Sequence, residues 1–202
     1  SFTDPRLENV DVPIVLINDE AHLNTFNNVT IDSEIEVKKA VGYLFSIGHR
    51  RIGYIGSSVR HNSNKRRLDG YRAAYDEQGL EVNESHIFSI PMMSDYETGQ
   101  KVLDRILDTN ITAVFCYNDM IAIGLMNACR ERGISVPDDL SIIGFDNIDQ
   151  ASQFYPTLTT IHQPKFELGS RAMQLIQQNS DKTVNEVLEC KLIVRESTKP
   201  LE

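Results

Sequence analysis

The sequence predicts an α/β protein of doubly wound architecture, built on parallel sheet covered by helices on both faces. Three observations lead there. Short β-branched apolar runs alternate with longer segments whose apolar residues recur every three or four positions. The runs are apolar at nearly every residue, as strands covered on both faces must be, and that implies parallel pairing with helical crossovers. Polar, turn-forming residues follow one run after another, the signature of a sheet whose strand ends open on the same edge.

Taken in order, Pro13 to Ile17 (PIVLI) forms the first run and ends at Asn18. The stretch Val29 to Ser33 (VTIDS) is strand-like and ends in an acid-serine pair suited to a crossover. Ile35, Val37, Ala40, Val41, Leu44 and Phe45 then lay an apolar stripe along a helix, which Gly48 can stop. Arg51 to Ile55 is the next strand; the polar stretch Ser57 to Ser63 follows it, and RRLDGY places Arg67 near the start of the following helix. His86 to Ile90 is strand-like, and Ser94-Asp95-Tyr96-Glu97 has capping-box spacing ahead of Val102, Leu103, Ile106 and Leu107. Thr112 to Tyr117 runs into Asn118 and Asp119, which cap a helix ending at Gly133. Leu140 to Phe145 delivers Asp146, Asn147 and Asp149, and the β-branched run Leu158 to Pro164 (LTTIHQP) offers a second crossover closed by proline.

Composition narrows the functions. A chain of 202 residues with 41% apolar content can bury a substantial core, and its net charge of −9 repels phosphate backbones. Cys116, Cys129 and Cys190 are too scattered for a disulfide framework or a zinc site and are expected as free, mostly buried thiols. No stretch reaches the roughly 20 apolar residues of a membrane span, and residues 1–20 lack the features of a secretory signal, so the expected location is cytoplasmic. There is no G-x-G-x-x-G, P-loop lysine, G-x-S-x-G, H-E-x-x-H or acidic metal loop. No catalytic residue, metal or cofactor is therefore assigned, no enzymatic activity is expected, and His49 and His162 are read as structural.

The residues after the strands form the candidate site. Asn18, Ser57 to Ser63, Ser94, Asn118 with Asp119, and Asp146 would line one sheet edge with hydrogen-bonding groups, although each alone could be a helix cap or turn residue. Arg67 adds a forked cation.

These residues carry a resemblance. The segments VPIVLIN (12–18), GHRRIGYIG (48–56), RRLDGY (66–71), YNDMIAIGLMNACRERGISVPDDLSIIGFDN (117–147), PTLTTIHQP (156–164) and VRESTK (194–199) resemble, in order, the effector-binding core of the lactose-repressor/galactose-repressor (LacI/GalR) family of bacterial transcriptional regulators. The resemblance implies two periplasmic-binding-protein-like lobes joined by three crossovers, near Asp32, Gln163 and Lys191, with a small effector held in the cleft. Residues 1–33 and 164–190 would form the N-terminal lobe, incomplete here, and residues 34–163 and 191–202 the C-terminal lobe.

Carried over position by position, the resemblance implies that Asp146 and Arg67 are the main polar effector contacts, with Asn118, Ser63 and Asn18 as further ones. A sugar or sugar-like polyol suits an acceptor carboxylate beside a donor guanidinium. The family places a ring-stacking aromatic where Ser94 stands, and Met93 and Tyr96 are the nearest substitutes. Counterparts of the family's helix-turn-helix, hinge helix and first three βα units would precede residue 1. The expected whole is thus a DNA-binding repressor that contacts its operator through a domain outside this chain and forms a homodimer; the regions Ile123 to Asn127 and Asp149 to Phe154 match the family's second-lobe interface, with burial in the core as the alternative reading of their apolar residues. An extracytoplasmic solute-binding protein of a sugar transporter is the alternative with the same fold.

Overall fold

The computed structural model describes residues 12–18, 26–57, 61–89, 94–178 and 183–201. The chain divides into two compact units, Ser1–Asp32 with Pro164–Cys190 and Ser33–Gln163 with Lys191–Glu202. In chain order the elements are β1 (Val15–Ile17), β2 (Asn27–Ile31), α1 (Ser33–Ser46), β3 (Ile52–Ile55), α2 (His61–Glu77), β4 (Ile87–Phe88), α3 (Asp95–Leu107), β5 (Ala113–Cys116), α4 (Asp119–Glu131), β6 (Ser141–Asp146), α5 (Asp149–Gln153), β7 (Thr159–His162), α6 (Lys165–Gln178), β8 (Asn185–Leu188) and β9 (Lys191–Ile193).

In the first unit, β1, β2 and β8 pair in parallel, and α6 packs on β1 and β2 through Leu168, Ala172 and Leu175. The second unit has a sheet in the order β4-β3-β5-β6-β7-β9. All its pairings are parallel except β7 with β9, a short antiparallel edge in an otherwise parallel sheet. The chain leaves β3 to one side for β4, then returns past β3 to β5 and continues outward. The order therefore reverses between β3 and β5, and open α/β sheets bind ligands at the carboxyl side of such a reversal.

Side chains along β3, β5 and β6 alternate between two buried layers. Ile55, Val114, Cys116 and Ile142 meet α3 and α4 through Val102, Leu103, Ile121 and Leu125. On the opposite face, Tyr54, Tyr71, Tyr75, Phe45 and Phe115 form a chain of aromatic contacts, with ring centroids 5.0 to 6.1 Å apart, between the sheet and helices α1 and α2. Continuous apolar strands are thus a requirement of burial on both sides.

Helix ends follow their local signals. Ser94 and Glu97 complete a reciprocal capping box at α3, and Asn118 caps α4 by accepting from Ile121 N at 3.0 Å. Gly48, at φ +99, ends α1 with the paired bonds Gly48 N to Phe45 O and His49 N to Leu44 O, and Gly133, at φ +70, ends α4 in the same way. Helices α3 and α4 cross closely because Gly99 and Gly124 lack side chains: a Cβ at either would collide with the other helix's backbone, at Ile121 O or Tyr96 O.

The carboxyl-terminal segment is bound into the second unit. Ser197 Oγ donates to Ile142 O at 2.6 Å, and Leu201 N donates to Ile47 O at 2.9 Å. The ring of His49, 2% exposed, lies 2.8 Å from Thr112 Oγ1 through Nδ1 and 3.2 Å from Lys199 O through Nε2. A carbonyl can only accept, so Nε2 carries the proton and Nδ1 accepts from the threonine.

Burial lowers the pKa values of His49 and His86 below the ordinary 6.5. Below that value the unfolded chain binds protons that the folded chain refuses, so stability falls as pH drops through 6.5 and levels off beneath the folded values. Glu97, Asp138 and Glu196, held ionised by hydrogen bonds, add their losses only below the ordinary carboxylate values of 4.5 and 3.8. Urea unfolding between pH 7.5 and 5 is expected to show a decline that is shallower in His49→Gln; an unchanged slope in that variant would remove His49 from the account.

Candidate functional site

The carboxyl ends of β3, β5 and β6 bring one cluster together. Arg67, in the second turn of α2, is 6% exposed, and its guanidinium carbon lies 4.3 Å from the Tyr117 ring centroid and 3.7 Å from that of Phe145. Such a sandwich suits a planar, weakly hydrated cation and would not suit an ammonium equally. Nη1 donates to the Tyr117 carbonyl, Nη2 lies 3.9 Å from Asp146 Oδ1, and Nε is buried with no hydrogen-bond partner among the described residues.

Asp146 ends β6, with its side chain 27% exposed beside the 8% of Arg67. The cation is therefore packed beneath while the carboxylate reaches the surface. The backbone turns sharply here: Asp146 has φ +117 and Asn147 φ +47, conformations L-residues rarely adopt, though Asn and Asp tolerate them best.

Several groups hold this turn. Asp119, fully buried, accepts from Ile148 N at 2.8 Å through Oδ2 and from Thr160 Oγ1 at 2.5 Å through Oδ1. Thr160 Oγ1 in turn accepts from Asn147 N at 3.3 Å. The Asn147 side chain accepts from Arg195 Nη2 at 2.8 Å and lies 3.0 Å from His162 Nδ1. Gly144 leaves room for Asp119, since a Cβ there would collide with its Oδ1. Gln163, one residue beyond β7, donates from Nε2 to Asp146 Oδ1.

The other expected site residues are placed as follows. Ser63 Oγ is 2.8 Å from the Tyr117 hydroxyl, which joins it to the ring beneath Arg67. Asn118 stands beside the cluster, with its side chain engaged at the helix cap: Oδ1 accepts from Ile121 N, and Nδ2 donates to Asp95 Oδ2 at 2.7 Å. Asn18, at φ +55, ends β1 in the first unit, where its N donates to Val29 O at 3.0 Å. Ser57, 5% exposed, receives its backbone order from Asn64 Oδ1, which accepts from Ser57 N at 2.9 Å. Ser94 is a helix cap, Tyr96 packs against the core, and Met93 lies outside the described residues.

Tyr117, Phe145 and Gln163 are the contributors that residue-type reasoning did not single out, and Asp119 was expected at the rim, not beneath the turn. The two aromatics read as strand core, Asp119 as a cap, and Gln163 as part of a crossover. The site's chemistry is hydrogen bonding to hydroxyl or amide groups. Among the described residues no group of His, Cys, Asp or Glu could hold a metal, and burial pushes the thiols of Cys116 and Cys129 up, the latter to about 11, so neither is an activated nucleophile.

Comparison with known proteins adds the following. Residues 41–198 match a family model described as a periplasmic binding protein-like domain. The chain is 37% identical over 195 residues to the HTH-type transcriptional repressor CytR of Escherichia coli strain K12, a match covering 94% of this chain and 57% of that protein. It thus spans little more than half the length of that curated relative. The structure of the transcription regulator CcpA of Lactococcus lactis matches with a TM-score of 0.86 at 30% identity, over 96% of this chain and 73% of that one. A LacI family transcriptional regulator from Enterococcus faecium, with bound ribose, matches with a TM-score of 0.84 at 29% identity, over 94% of this chain and 72% of that one.

Proposed function

The chain belongs to the LacI/GalR family of transcriptional regulators, and from that premise we propose that it is the ligand-sensing core of a DNA-binding repressor. In this reading its two units are the lobes of the effector-binding domain, the first of them partial. Operator binding is the work of a DNA-reading domain outside this chain, which also accounts for a core with a net charge of −9. The full-length regulator is read as a cytoplasmic homodimer. The similarity to repressors supports a regulator over a transporter's binding protein, and no chemical turnover of the effector is expected.

The observation that carries the reading is the Arg67–Asp146 pair at the reversal of strand order. Arg67 Nη2 is held 3.9 Å from the carboxylate, too far for a direct hydrogen bond, and Nε is buried without a partner among the described residues. A ligand carrying adjacent hydroxyls can accept from the guanidinium and donate to the carboxylate, each such bond contributing about 1.5–3 kcal/mol. A phosphate or carboxylate at the same place would face Asp146. The effector is accordingly a neutral, sugar-like polyol, the class to which the ribose of the Enterococcus faecium relative belongs. It acts as a switch only through unequal affinity for the two operator-binding states.

The test is a thermal-shift screen of the full-length regulator against pentoses, hexoses, disaccharides, nucleosides and their phosphates. A ligand bound only by the native state at 100 times its Kd adds about 2.7 kcal/mol of stability. A neutral polyol is expected to raise Tm in the wild type and to fail in Arg67→Ala. Equal shifts in both proteins, or a preference for the phosphorylated compounds, would count against this site.

A further inference from the structure

We infer that Gln163 is the positioning residue that orients the Asp146 carboxylate for its ligand and ties that orientation to the crossover. The inference rests on the functional reading above and names a regulatory feature of the same site. Among the described residues, Gln163 Nε2 is hydrogen-bonded to Asp146 Oδ1, whereas Arg67 Nη2 stands 3.9 Å from it. The glutamine, not the arginine, therefore makes the direct bond to that oxygen. Such a restraint matters because Asp146 sits on a backbone at φ +117 with its side chain 27% exposed.

The donor itself is anchored. Gln163 is 7% exposed and follows β7 directly, where the register pairs Asp146 with His162. It is also the last residue of its unit before the chain enters the other at Pro164. The following proline restricts the Gln163 backbone to extended conformations. A change in the course of the crossover must consequently move the amide that holds Asp146. By linkage, a ligand that requires one orientation of Asp146 favours one state of the crossover to the same degree.

The experiment uses the full-length regulator and two variants. Gln163→Glu keeps the shape and turns the donor into an acceptor, so that two carboxyl groups face each other at hydrogen-bond distance and share a proton only on acidification. Gln163→Leu removes the donor without adding an acid. Among the described residues, the charged or titratable groups around the Asp146 turn include Arg67 from α2, Asp119 from α4, His162 from β7, whose Nδ1 lies against the Asn147 amide, and Arg195, which donates to Asn147 Oδ1. All are present in each variant, so Gln163→Leu controls for them.

With D-ribose as probe, affinity is expected to fall about tenfold in both variants at pH 7.5, the loss of one hydrogen bond to a charged group. On lowering the pH to 5.5 it should recover in Gln163→Glu alone, a recovery that a purely structural role would not produce. Without any sugar, carbon-13 NMR of the carboxyl groups in Gln163→Glu should show a coupled titration, with one member raised well above the carboxylate range. Independent titrations, or equal ribose affinity in all three proteins, would overturn the inference. If neither ribose nor any other sugar of the panel binds the wild type, the functional reading falls, while the coupled titration still decides whether Gln163 holds Asp146.

Discussion

Asp146→Asn is expected to weaken effector binding on the order of 100-fold, about 2.7 kcal/mol, while changing folding stability by less than about 1 kcal/mol. The two effects separate because the substitution is isosteric. Asparagine keeps an acceptor for Gln163 Nε2 and tolerates the positive φ of +117 as well as aspartate does. Arg67 keeps its place between the Tyr117 and Phe145 rings and its bond to the Tyr117 carbonyl. What disappears is the charge that strengthens the bonds to ligand hydroxyls, together with one acceptor, which an amide donor replaces. Arg67→Lys should cost affinity as well, since an ammonium cannot reproduce the stacked fork. Isothermal titration calorimetry against the sugar found in the screen, paired with urea unfolding, checks both halves. Undiminished affinity in Asp146→Asn would remove the carboxylate from the site, and a large loss of stability would make it a structural residue.

How far the sequence disclosed this arrangement depended on what each feature requires. The strands of the larger unit were legible because burial on both faces forces continuous apolar runs, as in Ile52–Ile55 and Ala113–Cys116. Helix ends were legible where one residue type satisfies one local demand, as at Ser94, Asn118, Gly48 and Gly133. The signals of α6, β8 and β9 are weaker. In α6, Phe166 and Met173 are exposed while Leu168, Ala172 and Leu175 are buried, which blurs the period. Strand β8 is only half covered, and β9 adds an antiparallel edge of three residues that an expectation of parallel pairing does not supply. At the site, Arg67 and Asp146 were legible as residues, through family resemblance and their positions after strands. Their partners were not, because Gln163 reaches Asp146 only through the β6–β7 register, and Phe145 reaches Arg67 only through the alternation of β6. Sequence shows which residues follow a strand; pairing decides which of them meet.

Asp119 is where that difference has its largest energetic consequence. Its place after Asn118 marks it as a helix-start acid of modest worth, roughly 0.3–1 kcal/mol near a helix N-terminus. In the fold it is fully buried and serves two donors from outside its helix, Ile148 N and Thr160 Oγ1, the second also fully buried. Asp119→Ala would leave both facing a small void. With about 1.5–3 kcal/mol for each bond to a charged group, the loss is expected to reach about 3–6 kcal/mol. Asp119→Asn should fall between the two, since its Oδ1 can serve one donor while its NH2 opposes the other.

The damage should extend to ligand binding in any folded fraction, because Ile148 N and, through Thr160, Asn147 N fix the turn that presents Asp146. Thr160→Val tests this route with little change of volume: it removes the hydroxyl between Asp119 and Asn147, whereas Thr160→Ser keeps it. Urea unfolding of the four variants should rank Asp119→Ala as the least stable and Thr160→Ser as the nearest to wild type. An Asp119→Ala protein that lost less than about 1 kcal/mol would reduce the residue to the cap that its sequence position suggests.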